Sequence, residues 1–132
     1  MPERLIVDAS AMVDLLVGSP VADAVNGRLR AHELHAPGHF DAEVLSALGR
    51  LHRAGHLTDR QATTRLDRLA AAPVQRHALP PLVAGAWRLR HNLRLVDALY
   101  VALANRLDGP IVTTDAGMAA ASASAELLTA QH

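Results

Sequence analysis

Cysteine and lysine are both missing from the 132 residues, and only three side chains are aromatic: Phe40, Trp87 and Tyr100. Without cysteine there is no disulfide framework, no thiolate nucleophile and no zinc ribbon. With so few aromatics, nucleic-acid binding by stacked aromatic platforms is a poor fit, and Leu, Val and Ala must fill the interior. Net charge is also absent, because 13 acidic residues balance 13 basic ones. Overall charge therefore carries no information about a polyanionic partner. Every basic residue is Arg, and Arg50, Arg53, Arg60, Arg65 and Arg68 crowd into one short stretch, which reads as a solvated helical face. No apolar run approaches the roughly 20 residues of a membrane span. Met1 to Arg4 lacks the basic start and apolar continuation of a secretory leader. The expectation is a cytoplasmic protein with no membrane association.

Half the residues are hydrophobic, so disorder is excluded and 132 residues suffice for one cored domain, 1–132. Leu5-Ile6-Val7-Asp8-Ala9-Ser10 organises the rest. Three large aliphatic residues read as a strand buried on both faces, and the run stops at a carboxylate. In a parallel α/β sheet the carboxyl ends of the strands border the ligand crevice, which is where Asp8 falls. Ser10 is placed to cap a helix over 11–17. Gly18, Ser19 and Pro20 interrupt it, and a second helix runs from Pro20 to about Arg30.

Glu33 to Pro37 reads as a short strand. Phe40, Val44, Leu48 and Leu51 recur at helical spacing over 39–54, with Gly55 as the stop. Thr58 and Gln61 form a capping-box signature for a fourth helix ending before Pro73. Val74 to Leu79 reads as a third strand, and Pro80 and Pro81 open a helix. Leu95 to Leu107 is the strongest helical segment, Ile111 to Thr114 a fourth strand, and Glu126 to Thr129 a last edge strand. Strands alternating with helices predict a three-layer α/β/α sandwich with a small, mainly parallel sheet and right-handed crossovers.

Four carboxylates recur at matching places in this layout. Asp8 and Asp115 follow strands, while Glu43 and Asp97 lie near helix starts. Each has an ordinary structural use, as an N-cap or as a complement to the helix dipole. Each also carries a local pattern: Val7-Asp8-Ala9-Ser10, Glu43-Val44 inside an apolar helix, Asp97-Ala98-Leu99-Tyr100-Val101-Ala102-Leu103-Ala104, and Thr113-Thr114-Asp115. Taken together in this order, the patterns resemble the PIN domain, and more closely a VapC-type toxin ribonuclease of the VapBC toxin–antitoxin systems.

The resemblance spans nearly the whole chain and implies a PIN-like fold and an endoribonuclease. Asp8, Glu43, Asp97 and Asp115 are its catalytic acidic residues, with Ser10 and Thr113 as supporting hydroxyls; Asp41 ranks below these four. Hard oxygen ligands suit Mg²⁺ or Mn²⁺. Two carboxylates about 4 Å apart repel by roughly 4 kcal/mol at an effective dielectric near 20, which a divalent cation relieves. The expected metal ligands are Asp8, Asp97 and Asp115, with Glu43 either a further ligand or the group that orients the attacking water. The implied partners are an RNA substrate, a cognate VapB-like antitoxin and a second copy in a homodimer. Leu15, Leu16, Val17, Val21 and Val25 are the expected apolar surface for the antitoxin's helix.

Two alternatives stay open at this point: a PIN nuclease of RNA maturation, and a non-catalytic α/β binding module. Neither a G-x-G-x-x-G nor a Walker-type loop follows the first strand, which weakens the second. The clustered histidines His32, His35, His39, His52 and His56 lack a zinc-ligand pattern and read as surface or loop residues.

Overall fold

In the computed structural model, which describes residues 1–130, five strands form one parallel sheet: β1 (Arg4–Val7), β2 (Glu33–Pro37), β3 (Val74–His77), β4 (Ile111–Thr113) and β5 (Ala125–Leu127). Their spatial order is β3-β2-β1-β4-β5, with every pairing parallel. β1 is therefore central. Leu5, Ile6 and Val7 are fully buried, as an aliphatic run covered by helices on both sheet faces must be.

The order reverses between β1 and β4. The chain winds outward through β2 and β3, then returns to the other side of β1 for β4 and β5. Crossover helices leave β1 and β4 in opposite directions, which opens a crevice at their carboxyl ends. Asp8 and Asp115 lie there.

Seven helices supply the outer layers: α1 (Ala9–Val17), α2 (Ala22–Leu29), α3 (Phe40–Arg53), α4 (Asp59–Ala71), α5 (Val83–Arg88), α6 (Leu95–Leu107) and α7 (Ala116–Ala121). A 3₁₀ turn over Pro80–Leu82 precedes α5, because the two prolines fix φ but supply no amide donors. The capping box at Thr58 forms in both directions, and Gly55 ends the α3 segment at φ +83°. α6 has six buried residues, from Ala98 to Ala104. Its carboxyl end turns through Asp108 in the left-handed region. Gly109 follows where a Cβ would fall 2.1 Å from the Arg4 carbonyl oxygen, so only glycine admits this approach of the α6–β4 turn to β1.

Several local expectations shift. β3 stops at His77 rather than Leu79, and β5 covers 125–127 rather than 126–129. α1 begins at Ala9, two residues earlier than a Ser10 cap would allow; Asp8 is its N-cap and no cap side chain bonds the helix amides. The arginine-rich stretch is mostly exposed, as expected.

The apolar surface on α1 and α2 is corrected more substantially. Leu16 and Val25 are buried, while Leu15, Val17 and Val21 pack half-buried against the core. α2 folds back on α1 and covers part of that side, leaving Leu15 and Leu16 on the wall of a groove. Large apolar side chains are instead exposed at Leu45, Val83, Trp87, Leu95, Val96 and Leu127. Among the described residues, no helix is long and apolar enough to cross a membrane.

Candidate active site: an acidic cavity at the switch point

The ends of β1 and β4 are tied together by side chains 103 to 105 residues apart. Thr113 Oγ1 donates to Asp8 Oδ2 at 2.7 Å, and Ser10 Oγ donates to the same oxygen at 2.8 Å. The two hydroxyls lie 3.1 Å apart. Each hydroxyl has one proton, so with both directed at Asp8 their lone pairs are left to accept. The Thr114 amide donates to Ser10 Oγ at 3.1 Å and the Asp115 amide to Thr113 Oγ1 at 3.0 Å. Ser10 and Thr113 thus do not cap helices. They hold the Asp8 carboxylate and set the path of the loop that carries Asp115.

Asp8 is 6% exposed. Burial pushes its carboxyl above the usual carboxylate range, the two hydroxyl hydrogen bonds oppose this, and the charges of Glu43 and Asp97 raise it further. A buried carboxylate that feels two other acids is a group whose negative charge lacks compensation.

Glu43 comes from the first turn of α3 and Asp97 from the first turn of α6. These helix starts meet through His39, whose Nε2 donates to the Val96 carbonyl at 2.8 Å, and through Tyr100, whose hydroxyl donates to Glu43 Oε1 at 2.6 Å. Tyr100 is fully buried. Burial, then the Glu43 carboxylate, raise its phenol far above its ordinary value, so it stays a donor. Asp115 caps α7, accepting from the Gly117 amide at 3.0 Å.

A cavity of about 330 Å³ is lined by Asp8, Ser10, Asp14, Glu43, Asp97 and Asp115, with Arg50 and Arg94 also on its wall. All four expected carboxylates therefore share one cavity. Thr113 lies just behind it, fully buried. Asp41, the lower-ranked candidate, faces elsewhere and makes a two-point ion pair with Arg76, at 2.8 and 3.1 Å.

Sequence reasoning missed four residues of this neighbourhood. Tyr100 and His39 position Glu43 and its helix. Asp14 lines the cavity while accepting from Thr114 Oγ1 at 2.6 Å. Arg94 donates from Nε to Asp97 Oδ2 at 3.1 Å. The signal for Tyr100 was its place one turn after Asp97, on the same helix face.

The donor chemistry fits a hard divalent cation. The wall offers five carboxylates against two guanidiniums and no sulfur, and Asp8 is destabilised in its charged form. Among the described residues, however, no group of three His, Asp or Glu side chains is gathered closely enough to hold one ion. Each carboxylate is turned to its own donor: Asp8 to two hydroxyls, Glu43 to Tyr100, Asp97 to Arg94 and Asp115 to α7. Shared coordination would require these side chains to turn away from those donors.

An open parallel sheet with an oxygen-lined acidic cavity at its reversal point defines the class. The PIN domain family profile matches residues 5–123. Ribonuclease VapC3 of Mycobacterium tuberculosis is 52% identical over 128 residues, covering 96% of this chain and 93% of that protein. The chain belongs to the PIN-domain family, within its VapC ribonuclease group. The fold is shared with more distant solved structures. A toxin–antitoxin complex from Klebsiella pneumoniae matches with a TM-score of 0.67 at 19% identity, over 92% of this chain and 95% of that one. VapC20 of M. tuberculosis, described as a sarcin–ricin loop cleaving toxin, matches with a TM-score of 0.67 at 21% identity, over 89% and 95%.

Proposed function

We propose that this chain, acting as one domain over 1–132, is a Mg²⁺- or Mn²⁺-dependent endoribonuclease and the toxin of a type II toxin–antitoxin pair. One observation carries the reading: Asp8, Glu43, Asp97 and Asp115, from four separate segments, line a single cavity at the switch point of a chain whose relatives are named VapC ribonucleases. Asp8, Asp97 and Asp115 would hold the ion. When bound, it supplies an acidified water and charge neutralisation at the scissile phosphate.

The protein's own groups do the rest. Ser10 and Thr113 fix the Asp8 carboxylate, so that it meets a cation without rearranging its backbone. Tyr100 pins one oxygen of Glu43, which leaves the other free to orient the attacking water and take its proton. Arg50, exposed on the cavity rim, is placed to bind a flanking phosphate. Cleavage should therefore weaken as salt rises. Unpaired loop RNA is the expected substrate, because A-form duplexes hide their base edges and three aromatics offer no means of prising them open.

Two surfaces fit the expected protein partners. A groove of about 570 Å³, lined by Leu15, Leu16, Leu29, Leu34 and residues of the α4–β3 junction, suits the apolar face of an antitoxin helix. Val83 and Trp87, one turn apart on α5, with Leu95 and Val96 of the adjoining α6, are exposed and suit a second copy of the chain. An RNA substrate and an antitoxin partner would both be met in the cytoplasm.

The test is cleavage of a defined hairpin RNA by the parent and by the Asp8→Asn, Glu43→Gln, Asp97→Asn and Asp115→Asn variants, with Mg²⁺ and with EDTA. Growth arrest on induced expression is followed in parallel. The parent should cut only with the metal, and each variant should lose most activity non-additively, since ligands of one ion act as a unit. Parent cleavage in EDTA, or two variants at the parent's rate, would refute the mechanism.

A further inference from the structure

The two arginines on the cavity wall are held differently. Arg50 turns back along α3, where its Nη1 donates to Ser46 Oγ at 2.9 Å. Arg94 turns inward onto Asp97. It is the N-cap of α6, with an extended backbone at φ −60° and ψ 144°, so its side chain leaves the chain before the helix begins. The side chain is 76% exposed while that of Asp97 is 16% exposed. No packing locks the guanidinium in place. Asp97 attracts it first, and Asp115 and Glu43 add to the pull.

The contact uses Nε alone among the guanidinium nitrogens, not the two-point fork that makes such pairs durable. An exposed pair of this kind parts readily. Arg94 contacts Asp97 through Oδ2, and a dication on either oxygen of Asp97 would lie beside the positive guanidinium, which opposes its binding. Guanidinium and dication therefore compete for this carboxylate, and Arg94 is already part of the cavity wall.

We propose that Arg94 is an exchangeable counter-ion. It neutralises Asp97 while the site lacks a divalent cation, and passes to an RNA phosphate once the cation takes Asp97. The inference rests on the metal-site reading above and deepens it. Arg94 lowers the cation affinity of the RNA-free protein, and the cost disappears when RNA offers the guanidinium a phosphate. Cation and RNA then bind cooperatively, each tightening the other by the same factor. Magnesium loading is thereby tied to the presence of substrate.

The experiment is calorimetric titration of Mn²⁺ into the RNA-free parent and its Arg94→Gln, Arg94→Lys and Asp97→Asn variants at low ionic strength, followed by steady-state cleavage of the hairpin RNA. Arg94→Gln should bind Mn²⁺ about two- to fivefold more tightly than the parent, the scale of an exposed ion pair, while its KM for RNA rises. Arg94→Lys should fall between them, keeping the charge but not the planar donor set. Asp97→Asn should lose most Mn²⁺ affinity. Unchanged or weaker Mn²⁺ binding by Arg94→Gln, with the parent binding normally, overturns the exchange and leaves the metal site standing. No Mn²⁺ binding by the parent overturns both. Tighter Mn²⁺ binding with an unchanged KM overturns the transfer to phosphate.

Discussion

Replacing Thr113 by valine isolates the hydrogen bond on which the acidic cavity is built. The two side chains have nearly the same shape, so packing is kept and the hydroxyl alone is lost. Thr113 is fully buried and Asp8 is 6% exposed, and water cannot easily take the missing place. The bond from Thr113 Oγ1 to Asp8 has an ionised acceptor and is worth about 1.5–3 kcal/mol. The Asp115 amide also loses its acceptor, about 0.5–1.5 kcal/mol more, and the new methyl group returns about 0.8 kcal/mol by its burial. A net loss of about 2 kcal/mol is expected. Unfolding entropy near 2.1 cal/mol/K per residue puts the fall in Tm at about 7 °C for this chain length.

The pH dependence distinguishes this from simple disruption. The Thr113 hydrogen bond acts to lower the Asp8 pKa, so its removal raises the folded-state value further. The deficit should be largest near neutral pH, where Asp8 is charged, and shrink as pH falls through the carboxylate range. Thr113→Ser keeps the hydroxyl and loses only a methyl group, so its deficit should be independent of pH. The assay is thermal melting by circular dichroism from pH 3.5 to 8 without divalent ions. A Val variant whose deficit is constant with pH, or whose Tm matches the parent's, would refute the reasoning.

Asp8→Asn should melt above the parent at pH 7 in EDTA. Burial has raised the Asp8 pKa, so its stabilising contribution is present below the unfolded value of about 3.8 and is lost as pH rises through the folded value. The two melting curves should converge on acidification, and millimolar Mg²⁺ should reverse the order at neutral pH by stabilising the parent alone. Tyr100→Phe should cost about 1–3 kcal/mol, because it removes a buried donor to a carboxylate. It should also reduce kcat more than KM in the cleavage assay, since Glu43 loses its orientation; an unchanged kcat would remove Tyr100 from the site.

The elements were legible in the sequence because their signals are local. The aliphatic run before Asp8, the apolar spacing of 40–51, the Thr58 capping box and the alanine-rich α6 each act within one element, and the alternation of strand and helix implied the parallel sheet. The four carboxylates were legible through pattern and resemblance together. What could not be read was contact between distant segments. Ser10 looks like a cap when only its neighbours are known, yet its hydroxyl serves Asp8 and the backbone of Thr114.

Tyr100 looks like filler for an apolar helix until Glu43 is brought beside it by α3. The apolar stripe on α1 and α2 was read correctly as a stripe, but only the part around Leu15 and Leu16 borders an open groove. Periodicity tells which residues share a face, and α2 folding onto α1 decides what covers it. Arg94 gave no signal at all, since an arginine before a helix is ordinary and its partner is set by the cavity's charge.

The central claim, that carboxylates from four segments serve one divalent cation, is tested most directly by anomalous scattering from crystals grown with Mn²⁺. The account predicts a strong peak in the cavity, coordinated directly or through water by Asp8, Asp97 and Asp115, with the Arg94 guanidinium moved off Asp97. No peak there at saturating Mn²⁺, or a peak coordinated by histidines elsewhere in the chain, would contradict it.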